Sequence, residues 1–409
     1  MHVAVLDEEL PFPLTSGKRI RTLNLLQRLA GRHRITYICH RNADADEART
    51  AAEHFRDLGI ETLVVERAVP PKSGPAFYAR LAANLFSPLP YSVATHASPE
   101  LRQAVRDFAA RNAVDLWHCE WTPYSQTMKS LPGAPWLVMA HNVESLIWQR
   151  YAENETNSGK RWYIRRQWRK FAAFEQWAYS HATQTVAVSP EDATLIRGQF
   201  GSQRVAVVDN GVDTAYFRPT PAARDPKCIL FLGSLDWRPN LDGVKILLEH
   251  VFPQVQAREP TATLLLVGRN PPDWLREQAQ RPGIELHGSV PDVRPFIARA
   301  GLLAVPLRIG GGSRLKILEA LASGLPVVST RVGAEGLELE PGRHLDVVEG
   351  VEPMTEALLA ALRQPQRMFE QTAAGRERVL ARYDWAGLAD RLDAVWHDAA
   401  GLAPVGVAA

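Results

Sequence analysis

The chain has 409 residues, room for two or three domains of about 150 residues each. Its 46% hydrophobic and 22% charged residues, with 27 glycines and 29 prolines, are ordinary for globular proteins and exclude collagen-like, disordered and low-complexity chains. Forty-seven Lys and Arg against 45 Asp and Glu leave a net charge of +2, so no global basic field marks a nucleic-acid binder.

The first segment, MHVAVLDEEL, has no basic n-region and turns acidic within its first ten residues. It is unlike a secretory signal and predicts a first strand over His2 to Leu6. Next comes LTSGKRIRTLNLLQRLAG, whose Ile20, Leu23, Leu26 and Leu29 keep the three-to-four spacing of an amphipathic helix. Gly17, Lys18 and Arg21 at its start are candidates to present amides and positive charge at the end of the strand. A P-loop is excluded, because Arg19 stands where Ser or Thr is required and no glycine lies five residues before Gly17. The Gly-x-Gly-x-x-Gly dinucleotide fingerprint is absent as well. Strands are predicted at Ile35 to Cys39 and Thr62 to Val65. Between them, DADE at Asp44 to Glu47 contains an Asp-x-Asp pattern at a polar helix start, and no metal site is assigned to it.

Further strands are predicted at Asp115 to His118 and Trp136 to Ala140. Glu120 follows the first, while His141, Asn142 and Glu144 follow the second, placing polar side chains at strand carboxyl ends where open α/β sheets bind ligands. The carboxylates Glu120 and Glu144 are candidates to orient an acceptor hydroxyl, and Asn142 is placed with Glu120 on the acceptor side. KRWYIRRQWRK, from Lys160 to Lys170, carries six cations and three aromatics without one acid. On a helix Trp162, Arg165, Arg166 and Arg169 share a flank suited to anionic headgroups or a lipid-diphosphate acceptor, with RNA as a rival ligand and a solvated helix face as the plain alternative. Strands at Thr185 to Val188 and Val205 to Val208 close the first series.

NGVDTAYFRPTPAARDPKC, with Pro219, Pro221 and Pro226, marks the linker. A second strand series follows at Ile229 to Leu232, Thr263 to Val267, Ile284 to His287, Leu302 to Pro306 and Pro326 to Ser329. Continuous apolar runs of this kind fit strands covered on both faces, so the fold class is α/β, with two doubly wound parallel-sheet domains. The expected division is an acceptor-side domain over 1–215, a donor-binding domain over 216–384, and a closing amphipathic helix and tail over 385–409. A central cleft is the expected binding place. Cys39, Cys119 and Cys228 lie far apart in apolar segments and are expected to be buried thiols, which suits a reducing compartment. The longest apolar runs fall far short of a membrane span.

The densest chemical signal is VPLRIGGGSRLKILEALASGLPVVST, residues 305–330. A strand runs into Gly310, Gly311 and Gly312, then a helix expected from Ser313, the candidate N-cap, to about Ser323. Glycine amides and the first helical turn suit a diphosphate. Ile317, Leu321, Leu318, Ala322 and Leu315 form the expected buried face, whereas Lys316, Glu319, Ala320 and Ser323 form the polar one. A cation for phosphate and a carboxylate for vicinal hydroxyls suit a nucleotide sugar, and a solvated Lys316/Glu319 pair beside a tight turn is the alternative.

GGGSRLKILEALASGLPVVST, NGVDTAYFRP, VAVSPEDA, VGRNPP and HGSVPDVRPFIARAGLLAVPL together resemble family 4 glycosyltransferases of the GT-B architecture across nearly the whole chain. The resemblance implies transfer of a sugar, with retention, from a nucleotide-diphosphate donor to a glycan or lipid-linked glycan acceptor. It implies that Glu319 binds the ribose, that backbone near Val290 meets the base, and that His141 of AHNVES faces the donor sugar. Two positions depart from the family pattern. Gly311 stands where the first glutamate of the Glu-x7-Glu motif occurs, and Ser234 and Pro239 replace the usual Arg and Lys. Diphosphate neutralisation then falls to Arg314 and Lys316, with Arg238 as a further cation.

GGGSRLKILEALASG, AHNVES and RRQWRK are similar to bacterial exopolysaccharide glycosyltransferases of the exosortase-associated type, which implies polysaccharide or glycolipid biosynthesis. The expected setting is cytoplasmic, with peripheral contact at the inner face of the membrane through Lys160 to Lys170. No metal, no cofactor beyond the donor substrate and no nucleic acid are expected. A non-catalytic sugar-nucleotide-binding assembly partner and a sugar-nucleotide epimerase are the competing readings.

Overall fold

A computed structural model describes residues 1–67, 73–96, 98–220, 224–309 and 314–402. The chain divides into two compact units, one of residues 1–209 with 388–409 and one of residues 210–387. The closing helix Trp385–Ala400 is therefore not a separate element. From Leu388 onward it belongs to the first unit.

The first unit has seven strands, β1 (His2–Leu6), β2 (Arg34–His40), β3 (Glu61–Val65), β4 (Leu116–Cys119), β5 (Trp136–Ala140), β6 (Gln184–Ala187) and β7 (Val205–Val207). All neighbours pair in parallel, in the order β3-β2-β1-β4-β5-β6-β7. The second unit has β8 (Cys228–Leu232), β9 (Thr263–Gly268), β10 (Ile284–Gly288), β11 (Leu302–Val305), β12 (Val327–Ser329) and β13 (Asp346–Val347). They run parallel in the order β10-β9-β8-β11-β12-β13. In each sheet the winding direction reverses beside the first strand, at β1/β4 and at β8/β11, the switch point beyond whose carboxyl ends ligands bind.

The central strands, such as β5, β8 and β11, are apolar because both their faces are covered. In β8, Ile229 and Phe231 join one apolar layer with Leu264, Leu266 and Ala304, while Cys228, Leu230 and Leu232 join the opposite layer with Leu265, Val267 and Leu303. Successive side chains point to opposite faces, so two layers demand an unbroken apolar run. Each buried Leu or Ile contributes about 1.5–3 kcal/mol through surface removed from water. Strand β13 is the one the sequence pattern does not reveal, since two residues at the sheet edge carry no periodicity. All three cysteines are buried.

Trp385, Leu388, Leu392 and Trp396 of the closing helix are buried. Its polar side is tied to the first unit by Arg32 to Asp390 at 2.6 Å, His33 to Asp393 at 2.7 Å and Arg204 to Asp398 at 2.8 Å. No helix among the described residues is long and apolar enough to cross a membrane.

Candidate functional site

In the second unit the carboxyl ends of β8, β9 and β11 gather polar side chains around Lys316. Helix Leu315–Ala322 follows β11, with Arg314 in the cap position and no side-chain cap among the described residues. The start expected at Ser313 is thus displaced to Leu315. Gly310, Gly311, Gly312 and Ser313 lie outside the described residues.

Leu315, Ile317, Leu318, Leu321 and Ala322 are buried as the spacing predicts, but Ala320 and Ser323, expected on the polar side, are buried too. Lys316 and Glu319 are the partly exposed residues of this helix, one turn apart. Lys316 Nζ donates to Asn240 Oδ1 at 3.0 Å and sits 5.0 Å above the Phe231 ring. Asn240 is held in turn by donation to the Ser234 carbonyl at 2.8 Å. The ammonium approaches the chain so closely that a Cβ at Gly233 would lie 2.7 Å from Nζ.

Burial, and then the nearby Arg314, bring the Lys316 ammonium down to about 7, with Glu319 partly opposing. Burial brings Glu319 up to about 7 against the pull of Lys316. Both groups thus change charge near neutrality, as binding-site groups often do. An arriving diphosphate would restore the lysine's proton and supply its missing counter-charge.

Arg314 does not bend outward. Its side chain is 4% exposed and Nη2 lies 3.4 Å from Glu335, so the expected phosphate cation is a buried structural one. Arg238 is exposed at the first position of helix Arg238–Ile246, which follows β8. Val290 is half-buried after β10. The residue before it, Ser289 (φ 55°), and Asn270 (φ 51°) after β9 are the non-glycine positions with positive φ in the described chain. Strained backbone at two neighbouring strand ends is the kind that collects at binding sites.

Arg269 is a site residue that the sequence reading passes over. It follows β9 directly, donates from Nε to Ser234 Oγ at 3.0 Å and lies 3.7 Å from Asp236. Its strand-end position in VGRNPP was the available signal. Gly268 before it has no room for a side chain, since a Cβ would fall 1.8 Å from the Gly233 carbonyl oxygen.

In the first unit the polar cluster lies beyond β1, β4 and β5. Lys18 pairs with Asp7, lies 3.9 Å from Glu8 and sits 5.0 Å over the Trp121 ring. Burial lowers its pKa, but Asp7 and Glu8 outweigh burial and raise it. Gly17 opens helix Gly17–Leu29, capped by Ser16.

Arg21 departs from expectation. It is fully buried and donates to the carbonyls of Val208 at 2.8 Å and Asp209 at 2.5 Å, so it fastens the end of β7 rather than offering charge to a ligand. Burial lowers it to about 10 although Glu120 and Asp209 oppose.

Glu120 also departs from its expected role. At 2% exposure it accepts from Thr22 Oγ1 at 2.7 Å and from His141 Nε2 at 3.0 Å, and its other oxygen lies 2.9 Å from His118 Nε2. It orients protein groups, not an acceptor hydroxyl. Burial pushes its carboxyl up, but His118 and His141 hold it well below the usual range. His141 is 9% exposed and burial lowers its pKa, so the ring is neutral near pH 7. Asn142 beside it is half-buried. Glu175 holds the turn after β5 by accepting from the amides of Glu144 at 2.6 Å and Ser145 at 3.1 Å.

The acidic run at Asp44 caps helix Ala45–Asp57 through the Glu47 amide at 2.8 Å, and Glu47 pairs with Arg19 at 2.9 Å. Trp162, Arg165, Arg166 and Arg169 are all exposed on helix Ser158–His181. Gln167 and Arg166 anchor this helix to Asn84 and Leu85, so the exposed Trp162 belongs to the same unit as the exposed Tyr78 and Phe86.

The chain is similar to known proteins in sequence and in fold. Phosphatidyl-myo-inositol mannosyltransferase of Mycolicibacterium smegmatis is 32% identical over 211 residues, 49% of this chain and 53% of that protein. The chain spans about half the length of the curated relatives it matches. Sucrose-phosphate synthase of Thermosynechococcus elongatus shares the fold, with a TM-score of 0.72 at 18% identity over 97% of this chain and 98% of that one. HepE of Anabaena in complex with UDP and glucose does so with a TM-score of 0.68 at 14% identity over 97% and 100%. Residues 15–216 match the model of Glycosyltransferase Family 4, and residues 226–364 match that of Glycosyl transferases group 1. The chain is therefore built from an N-terminal domain of glycosyltransferase family 4 followed by a domain of the group 1 glycosyltransferases.

Proposed function

We propose that this protein moves a sugar from a nucleotide-diphosphate donor to an acceptor hydroxyl, with retention at the anomeric carbon and without a metal. The observation that carries this is Lys316. It is an ammonium at the strand-end switch point of the second unit, held by a neutral amide, with Glu319 one turn further along the same helix. That pair offers charge to a diphosphate and a bidentate acceptor to a ribose.

In the reaction the bond from anomeric carbon to diphosphate oxygen breaks, the acceptor oxygen takes that carbon on the same face, and its proton passes to the leaving diphosphate. Lys316 stabilises the charge growing on that diphosphate. His141, neutral at the end of β5, hydrogen-bonds the donor sugar. Arg238 and Arg269 are secondary cations, and backbone around Val290 meets the base.

The acceptor is a lipid-linked glycan or glycolipid, which places the protein in polysaccharide or glycolipid synthesis at the inner face of the cell membrane. The basic aromatic flank with exposed Trp162 supports this reading, as does the resemblance to an enzyme named for phosphatidyl-myo-inositol. Such a surface binds anionic lipid through charge and interfacial aromatics.

The test is a thermal-shift panel of UDP, GDP, UDP-glucose and GDP-mannose, since a ligand of the folded state raises the melting temperature by mass action. Absence of any shift across the panel would overturn the proposal. Saturable binding without release of nucleoside diphosphate would instead identify an assembly partner, the reading that Gly311 in place of a motif glutamate favours.

A further inference from the structure

We propose that Ser234 is a positioning residue that sets two cations at one point of the site, and that Arg269 is the second arm, beside Lys316, of a grip on the donor's diphosphate. This deepens the diphosphate reading of Lys316 and rests on it. Ser234, Asn240, Arg269 and Lys316 all belong to the second unit. Arg269 Nε donates to Ser234 Oγ at 3.0 Å, Asn240 Nδ2 donates to the Ser234 carbonyl at 2.8 Å, and Lys316 Nζ donates to Asn240 Oδ1 at 3.0 Å. One serine is thus bonded to one cation directly and to the other through a single amide.

The backbone fixes where both cations arrive. In the sheet β8 lies between β9 and β11. Arg269 comes from the end of β9 and Lys316 from the helix after β11, so they reach Gly233 and Ser234 from the two flanking strands. The Gly233 amide donates to the Val267 carbonyl at 3.0 Å and the Leu235 amide to the Arg269 carbonyl at 2.9 Å, which locks the turn after β8 to the turn after β9. Lys316 comes so close that its Nζ would lie 2.7 Å from a Cβ at Gly233. A ligand seated over this dipeptide meets both charges.

The two cationic heads complement each other. A guanidinium offers five N–H donors in a rigid fork, and spending Nε on Ser234 leaves the two Nη groups for bidentate contact with phosphate oxygens. Its counter-charge within the protein is weak. Asp236 Oδ1 lies 3.7 Å from Nε, the two side chains are 40% and 38% exposed, and Asp236 also accepts from Asn270 Nδ2 at 3.0 Å. The diphosphate of a nucleotide sugar carries two negative charges, one more than Lys316 can balance. Arg269 keeps its charge at every working pH, whereas burial brings Lys316 down to about 7. The permanent cation therefore draws the anion in, and the anion recharges the lysine.

The experiment is titration calorimetry of the full-length chain with inorganic pyrophosphate, UDP and GDP. Arg269→Gln should weaken binding of each of these that the wild type takes up about tenfold. Ser234→Ala removes the hydroxyl and keeps the carbonyl that holds Asn240. Alone it should weaken binding about threefold, and on top of Arg269→Gln it should cost nothing more, because it acts through the guanidinium. The reciprocal pair Ser234→Arg with Arg269→Ser returns a guanidinium to the same contact and should recover most of the loss. Undiminished binding in Arg269→Gln overturns the proposal, and so does a loss from Ser234→Ala of equal size in both backgrounds. Should Arg269→Gln fail to fold, Ser234→Ala decides alone, and unchanged binding in it counts against the proposal. Lys316→Met separates the two readings. Binding weakened there and kept in Arg269→Gln leaves the diphosphate site and removes its second arm, whereas binding kept in both, or absent from the wild type, removes the site itself.

Discussion

Lys316 donates to Asn240 across the carboxyl edge of β8, Nζ to Oδ1 at 3.0 Å, and the bond joins a cation to a neutral amide. Among the described residues no carboxylate lies within ion-pair distance of that ammonium, while burial has already brought it down to about 7. The arrangement is poor for stability and suited to an incoming anion.

The first prediction is a pH dependence. Lys316 loses its proton near 7 in the folded chain but near 10.5 when unfolded. Between those values the unfolded chain holds more protons, so stability rises with pH. Glu319 runs oppositely, since the folded form keeps its proton up to about 7 against 4.5 when unfolded, so stability falls as pH rises through that lower window. Urea unfolding of the second unit should therefore show a stability minimum near 7 without ligand. Lys316→Met should abolish the rise on the alkaline side, and Glu319→Gln the fall on the acid side.

Binding gives the second prediction. Loss of a hydrogen bond to a charged group is worth about 1.5–3 kcal/mol, so Lys316→Met should weaken UDP or GDP binding roughly tenfold to a hundredfold. Glu319→Gln should weaken nucleoside diphosphates and leave inorganic pyrophosphate unaffected, because its proposed partner is the ribose. Titration calorimetry in buffers of different ionisation heat should also record proton uptake on the alkaline side of neutrality, as the bound phosphates draw a proton from the buffer onto Lys316. Binding of undiminished strength in Lys316→Met would move the diphosphate elsewhere.

Much of this architecture is legible in the sequence because doubly covered strands need unbroken apolar runs. Twelve of the thirteen strands are predicted from the sequence, the central ones by such runs, and the thirteenth, Asp346–Val347, is too short to carry a pattern. The carboxyl-end polar residues were equally legible by position, as His141 after WLVMA illustrates. Charge alone was a poorer guide. Arg21 and Arg314 look like ligand cations in the sequence, yet one is spent on the carbonyls just after β7 and the other is buried beside Glu335. Glu120 looks like a solvent-facing carboxylate, and its three partners come from 98, 2 and 21 residues away. Long-range pairing of this kind leaves no local pattern.

The third prediction concerns the turn that carries His141. Glu175 is fully buried and accepts from the amides of Glu144 and Ser145 and from the Tyr179 hydroxyl at 3.2 Å. Glu175→Ala should strand those donors and destabilise the first unit by about 2 kcal/mol, whereas Glu175→Gln, whose amide oxygen can still accept, should lose less. Burial pushes the Glu175 carboxyl up to about 8. The wild type should therefore lose stability relative to Glu175→Gln as pH rises from 4.5 to 8, which paired denaturation curves will test.

The fourth prediction tests the membrane reading through helix Ser158–His181. Arg165 and Arg169 are exposed on the same helix as Trp162, which is 57% exposed. Each basic residue near an anionic bilayer is worth about 1 kcal/mol, so the double change Arg165→Gln and Arg169→Gln should weaken binding to phosphatidylserine vesicles roughly thirtyfold. High salt should erase most of the difference, because screening shortens the reach of exposed charges. Trp162→Ala should lower the salt-resistant part of binding instead, since that part comes from apolar insertion. A solvated face would behave otherwise, with weak binding to anionic vesicles in the wild type and no response to either change. If the flank binds lipid, release of nucleoside diphosphate from the donor in the presence of water-soluble acceptors should be untouched by both variants, because the cations act at the bilayer and not on the donor.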